Sequence, residues 1–242
     1  MNHQIKYPAV LLCLILLLTA ACKTTGSSSG KDGIGTSSGG VSLPGGGTAP
    51  AVISESDKPL DAMTRAMRAQ LDAKSYRAHV TTTLADGAPS KMLIEYVAPD
   101  SYRMTQSGQG DAAGGSSMEY VIVKGAMYMK TPKGEWAKSP IDASSMIKAF
   151  RDPKMLDELT KTADVKLVGP DMLDGAPMLV YEYTQTNPMG MNLKNTSRTW
   201  LSVADGLPRK TESEGEFDGK KTKTLVTMTD YNADIKIESP VK

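Results

Sequence analysis

From Tyr76 to Tyr231 apolar and polar residues alternate in short runs broken by turn residues, and a period of two sustained over that length commits the chain to an antiparallel β architecture. Runs near 76–84, 91–98, 102–107, 118–124, 126–131 and 135–138 read as strands, with Gly87, Pro99-Asp100, Gly125 and Gly134 as turn marks. Five more lie near 165–173, 177–185, 192–202, 208–216 and 221–231, where Asp174-Gly175, Asp205-Gly206 and Asp218-Gly219 supply hairpin turns. A sheet of about eleven mostly sequential strands tends to curl, and its apolar face needs a cover.

Helices are the expected cover. Asp57 can cap a helix that has Pro59 in its first turn, and Leu60, Met63, Met67 and Leu71 recur at spacings of three and four, placing one apolar stripe on a helix that ends near Lys74. Two shorter helical pieces interrupt the strands, near 142–150 with Met146, Ile147 and Phe150, and near 153–162 with Pro153, Leu156 and Leu159. The fold class is therefore α+β, one large curved antiparallel sheet with helices on one face. Charges at Glu95, Arg103, Glu119, Lys130 and Glu182 mark the solvated side of the strands. Alternation then places Met92, Ile94, Tyr96, Tyr102, Met104, Tyr120, Ile122, Met127, Met129, Leu179, Tyr181 and Tyr183 on the other side, a face rich in Met and Tyr. Polarizable, flexible methionine suits a surface that adapts to ligands, and it equally suits a closed core; periodicity does not separate the two.

The amino terminus carries a different message. Lys6 precedes an apolar run from Ala9 to Leu18, and Leu18-Thr19-Ala20-Ala21-Cys22 closes it with small residues before a cysteine. This resembles a bacterial lipoprotein signal and its lipobox, with cleavage after Ala21 and a diacylglyceryl group on the Cys22 sulfur. The run is shorter than the roughly 20 residues a membrane-spanning helix needs. Lys23, where an Asp would oppose it, implies outer-membrane sorting in a Gram-negative envelope, with the domain facing the periplasm. Residues 23–56 are dominated by Gly, Ser and Thr without hydrophobic periodicity and read as a flexible tether with a typical reach of about 30 Å. The expected organisation is a signal over 1–21, lipidated Cys22 and tether over 22–56, and one domain over 57–242.

Charge and chemistry narrow the function. Loss of Lys6 with the signal takes Lys plus Arg from 28 to 27, against 27 Asp plus Glu, so the mature chain is formally neutral and shows no basic excess for nucleic acid. Cys13 leaves with the signal, so the domain folds without a disulfide. His79 stands alone in a strand, and no His, Cys and carboxylate cluster has metal spacing. The G-x-S-x-G strings at Gly26–Gly30 and Gly35–Gly39 sit in the tether, where no strand and helix can present a serine. Gly108-Gln109-Gly110 leads into Gly114-Gly115-Ser116 rather than a helix, so it offers no phosphate site. No enzyme, metal or cofactor is implied.

The order of several strings adds a resemblance. Ala98-Pro99-Asp100-Ser101-Tyr102-Arg103-Met104, Tyr120-Val121-Ile122-Val123-Lys124-Gly125 running into Met127-Tyr128-Met129-Lys130, Trp136 with Pro140, and Asp230-Tyr231 through Ile235 to Pro240 follow one another as in the LolA/LolB lipoprotein-localisation fold and the related LppX-type lipid-binding lipoproteins, which the chain resembles across nearly the whole domain. The resemblance implies a half-barrel around an apolar cavity, a helical lid, and acyl chains of a lipid or lipoprotein as the partner. It assigns the cavity to Ile94, Tyr96, Met104, Tyr120, Ile122, Met127, Met129, Leu179, Tyr181 and Tyr183, and the lid to Met146, Ile147 and Phe150. Two positions depart from it: Ala98 stands where LolA has a basic residue that holds the lid, and Gly108 to Ser117 is polar where LolB has an apolar loop. A lipid-anchored carrier is the nearer analogue. A protein-interaction or envelope-stress-sensing module is the alternative on the same fold.

Overall fold

The computed structural model describes residues 53–84, 87, 89–107, 117–152, 164–186, 193–217 and 220–241. Helix α1 (Pro59–Asp72) opens the chain and β1 (Ser75–Leu84), β2 (Ser90–Val97), β3 (Ser101–Ser107), β4 (Met118–Val123), β5 (Ala126–Lys130) and β6 (Trp136–Asp142) follow it. After α2 (Ser144–Phe150) come β7 (Asp164–Leu173), β8 (Ala176–Thr186), β9 (Leu193–Ser202), β10 (Pro208–Phe217) and β11 (Lys220–Thr229). All eleven form one antiparallel sheet in the order β6-β5-β4-β3-β2-β1-β11-β10-β9-β8-β7. The two runs of hairpins are joined through β1 and β11, so the first and last strands lie at the centre. The edges β6 and β7 do not pair with each other, which makes the sheet a curved half-barrel rather than a closed barrel.

Both edges are irregular in ways that discourage further pairing. Pro140 lies where β6 shifts register against β5, and β7 shifts between Leu167 and Gly169, where Gly169 takes φ +141° ahead of Pro170.

Helix α1 differs from its expected form at both its start and its buried face. Lys58 is the N-cap and makes no side-chain cap; Asp57 instead accepts from the Ser54 amide at 2.9 Å and from Arg65 at 2.6 Å. Ala62, Met63 and Ala66 are buried while Leu60 is 36% exposed, because two alanines let the helix approach the sheet more closely than the Leu60 stripe would. The β6 strand runs on to Asp142, past the expected end at 138, and α2 begins only at Ser144. The start of α2 is pinned to the β4–β5 turn: the Ala143 amide donates to the Gly125 carbonyl at 2.9 Å, and Asp142 Oδ1 accepts from the Ser144 amide at 2.8 Å. Gly125 has φ +79°, and a Cβ there would fall 1.8 Å from Ser144 Oγ, so both conformation and space call for glycine. The expected helix near 153–162 and the turn Asp218-Gly219 lie outside the described residues.

Register assigns the two faces. Arg77, Glu95 and Arg103 are direct partners across β1, β2 and β3 on the outer face, where Glu95 accepts from Arg77 at 2.9 Å and from Arg103 at 3.1 Å, and Arg77 reaches on to Asp230 at 3.0 Å. Glu95 therefore lies on the side expected of it but is only 8% exposed, covered by its two arginines. A small apolar patch on the same outer face, Met178, Val180 and Trp200, is capped by Trp200 donating to Asp171 at 2.8 Å with Lys210 over its ring.

Candidate functional site

The inner face gathers the expected residues into two apolar clusters. Across β2 to β5 the direct partners are Ile94, Met104, Tyr120 and Met129 in one row, and Tyr96, Tyr102, Ile122 and Met127 in the next. Ile94, Met104 and Ile122 are buried together with Ala78, Val80, Met92, Val226 and Met228, and Tyr102, Tyr120 and Met127 pack against them. Ala143 and Ile147 belong to the same cluster, Ile147 reaching it from α2. Met129 is half-buried beside it.

The second cluster belongs to β7 to β9 and α1. Leu179, Tyr181 and Leu201 are buried with Ile53, Ala62, Met63 and Ala66, and Tyr183, Met67, Val165 and Leu167 pack around them. Thus the ten expected cavity residues share one face, and eight of them divide between two clusters, one that includes Ile147 of α2 and one that includes Ala62, Met63 and Ala66 of α1. Core packing reaches back to Ile53, which is 1% exposed. Cys22 and the side chains of Met146 and Phe150 lie outside the described residues.

Between the clusters stands a stack of tyrosines. Tyr76 lies 5.0 Å from Tyr96 and 5.8 Å from Tyr231, and Tyr96 lies 5.0 Å from Tyr102, ring centre to ring centre. Arg151, just past α2, ties this stack to both helices: it donates to the Tyr96 hydroxyl, holds its guanidinium over the Tyr96 ring, and donates to the Leu71 carbonyl at 2.5 Å. That carbonyl is at the negative end of α1, where a cation is favoured. One side chain thereby joins α2, α1 and β2. On the far side Arg209 lies over Tyr231, whose hydroxyl donates to the Pro208 carbonyl at 2.8 Å.

Burial holds the phenols of this stack in their neutral form. Desolvation raises the pKa of Tyr76, Tyr102 and Tyr231, and pushes Tyr96 up to about 12 against the pull of Arg151. The sign follows from linkage: a raised folded pKa means the unfolded chain loses these protons first, so the stability is complete below pH of about 10 and falls as pH rises from there toward 12. A thermal melt series should therefore show a steep drop in Tm above pH of about 10, with the phenols of Tyr76, Tyr96, Tyr102 and Tyr231 ionising only as the protein unfolds. Ionisation of these four tyrosines in the folded protein at the ordinary value would contradict the stack's burial.

Alternation along the strands was enough to find the Met and Tyr face. Arg151, Tyr76 and Tyr231 were missed, since they meet only through contacts between strands and helices distant in sequence. Among the described residues no group of His, Cys, Asp and Glu could hold a metal ion, and no helix is long and apolar enough to cross a membrane. What the face offers is apolar surface with hydroxyls at its margins.

No family model matches the sequence, and no curated protein matches it. Solved structures do. The lipoprotein LppX of Mycobacterium tuberculosis superposes with a TM-score of 0.52 at 12% identity, over 74% of this chain and 97% of LppX. LprF from Mycobacterium bovis superposes with a TM-score of 0.53 at 11% identity, over 80% of this chain and 99% of LprF. The fold is the LppX type. At such identities the LppX likeness speaks to architecture alone. A LolA superfamily protein from Nitrosomonas europaea also aligns, over 68% of this chain, with a TM-score of 0.28.

Proposed function

We propose that the protein is an envelope lipoprotein, anchored through Cys22 and a Gly/Ser tether leading to the packed Ile53, whose half-barrel binds acyl chains of a lipid or lipoprotein for transport or localisation. The observation that carries this reading is the placement of the Ile94–Met104–Tyr120–Met129 and Tyr96–Tyr102–Ile122–Met127 rows on the inner face of an open sheet, beside a short helix that Arg151 ties to the sheet. An acyl chain entering between α2 and the sheet would exchange water for Met, Ile and Tyr side chains. Each buried methylene contributes about 0.8 kcal/mol, so ten of them supply on the order of 8 kcal/mol before the cost of ordering the chain. Binding of this kind is non-catalytic and needs neither metal nor cofactor.

The test places charge in that path. A fluorescent fatty acid should bind the mature protein and fail to bind the Met104→Asp, Met129→Asp double variant, because a carboxylate in an apolar groove must stay hydrated or become neutral. Met129→Asp alone, at a half-buried position, should retain the fold and lose most of the binding. A folded double variant with unchanged affinity would contradict the assignment of this face.

A further inference from the structure

The inner face is not apolar throughout. Ser90 on β2 is the direct partner of Thr82 on β1, Thr82 of Thr224 on β11, Thr224 of Ser213 on β10, and Ser213 of Ser197 on β9. Five hydroxyl side chains thus form one unbroken row across five strands. Gln106 extends it to β3, its Nε2 donating to Ser90 Oγ at 3.2 Å, and the Ser197 and Ser213 hydroxyls share a hydrogen bond at 2.8 Å. At the other end Tyr183 on β8 is the direct partner of Ser197 and hydrogen bonds to it. The row has the same strand parity as Ala78, Val80, Met92, Val226 and Tyr181, so it belongs to the helix-covered side.

Its burial makes the row unusual. Ser90, Gln106, Ser197 and Thr224 are 8%, 3%, 1% and 7% exposed. Hydroxyls and amides out of water at this density cost free energy relative to Met92, Val80 and Val226, which occupy the adjacent row on β2, β1 and β11 before it turns to Thr211 and Thr199 on β10 and β9. Gln106 also carries an orphan: its Oε1 is buried with no hydrogen-bond partner, which is costly unless something donates to it. The next row outward, Leu84, Thr222, Gly215 and Asn195, is likewise uncharged. The charges of these strands, such as Glu212, Glu214 and Lys223, stand at the opposite parity on the outer face.

We propose that this row is a polar shelf for the uncharged, hydroxyl-bearing ester portion of a neutral lipid, whose acyl chains lie on the apolar rows beside it. The inference rests on the acyl-chain reading above and adds the class of ligand. A lipid hydroxyl donates to Gln106 Oε1, and Ser90 and Thr224, whose hydroxyls can accept from Gln106 and Thr82, keep their own protons for ester carbonyls. A phosphodiester in the same place would bring a buried negative charge to a row with no cation, which is strongly unfavourable.

The test is a competition read by native mass spectrometry. The mature chain from Lys23, delipidated, is offered equimolar dioleoylglycerol and dioleoylphosphatidylglycerol, which carry the same acyl chains. The expected result is a dioleoylglycerol complex at least tenfold more abundant than the phospholipid complex. Gln106→Leu and Thr224→Val keep the shape of the row and should each erase most of that preference without lowering Tm. Phosphatidylglycerol bound equally or better would overturn the neutral-lipid shelf while leaving acyl-chain binding intact. Binding of neither lipid would overturn the acyl-chain reading itself, and a preference unchanged in both variants would remove the row from recognition.

Discussion

Tyr181→Ala lowers the stability of the domain by about 3–5 kcal/mol, whereas Tyr181→Phe leaves it unchanged or raises it by up to about 1 kcal/mol. The two outcomes separate ring from hydroxyl. The ring is fully buried in the cluster that joins β8 and β9 to α1, packed with Leu179, Leu201, Met63 and Ile53, so its loss leaves a cavity lined by groups that the sheet backbone holds in place. The hydroxyl is buried without a hydrogen-bond partner, and desolvation raises its pKa, so removing it relieves a cost rather than breaking a bond. Urea denaturation of the three proteins reads both effects, with an unchanged slope if the transition stays two-state. A large loss in Tyr181→Phe would show that the hydroxyl is bonded in the folded protein.

The second large effect concerns the fastening of α2. Arg151→Ala removes two charge-assisted hydrogen bonds and the guanidinium over Tyr96, and even one such bond at about 1.5 kcal/mol corresponds to a tenfold change in an opening equilibrium. Backbone amides of Ser144–Phe150 should then exchange hydrogen at least tenfold faster, while those of central β1 and β11 keep their protection. Arg151→Lys should recover little, because a compact ammonium cannot both stack on a ring and bridge a hydroxyl to a carbonyl. Unaltered exchange in α2 would mean that the Gly125–Ala143 contact and the packing of Ile147 hold the helix by themselves.

Much of the architecture was legible because strands advertise themselves by alternation and Asp-Gly by its backbone freedom. Asp174 and Gly175 take φ 50° and 79°, the positive pair that a two-residue hairpin needs. Lys124 and Gly125 adopt nearly the same pair, 51° and 79°, although lysine carries no such signal and only the glycine marked the turn. The face of each inner residue was readable for the same reason. Exposure was not: Glu95 points outward as its alternation demands, but two arginines on neighbouring strands cover it, and α1 buries Ala62 and Ala66 rather than Leu60 because helix and sheet settle at the closest approach small residues permit.

The polar row and the Arg151 fastening were invisible for a deeper reason. Thr82, Ser90, Ser197, Ser213 and Thr224 lie in five separate strands, and each looks like an ordinary strand residue until register sets them side by side. Arg151 meets Tyr96 and Leu71 across 55 and 80 residues of sequence.

An inner face that accommodates acyl chains, rather than closing on itself as a filled core, should bring lipid with it from the cell. Native mass spectrometry with organic extraction, on the chain from Lys23 onward purified from a bacterial host, should find co-purifying acylated lipid in near-stoichiometric amount, lost on delipidation and regained on incubation with lipid. A clean apo mass, unchanged after incubation with neutral lipid, phospholipid or fatty acid, would contradict acyl-chain binding and leave the Met and Tyr face as core alone.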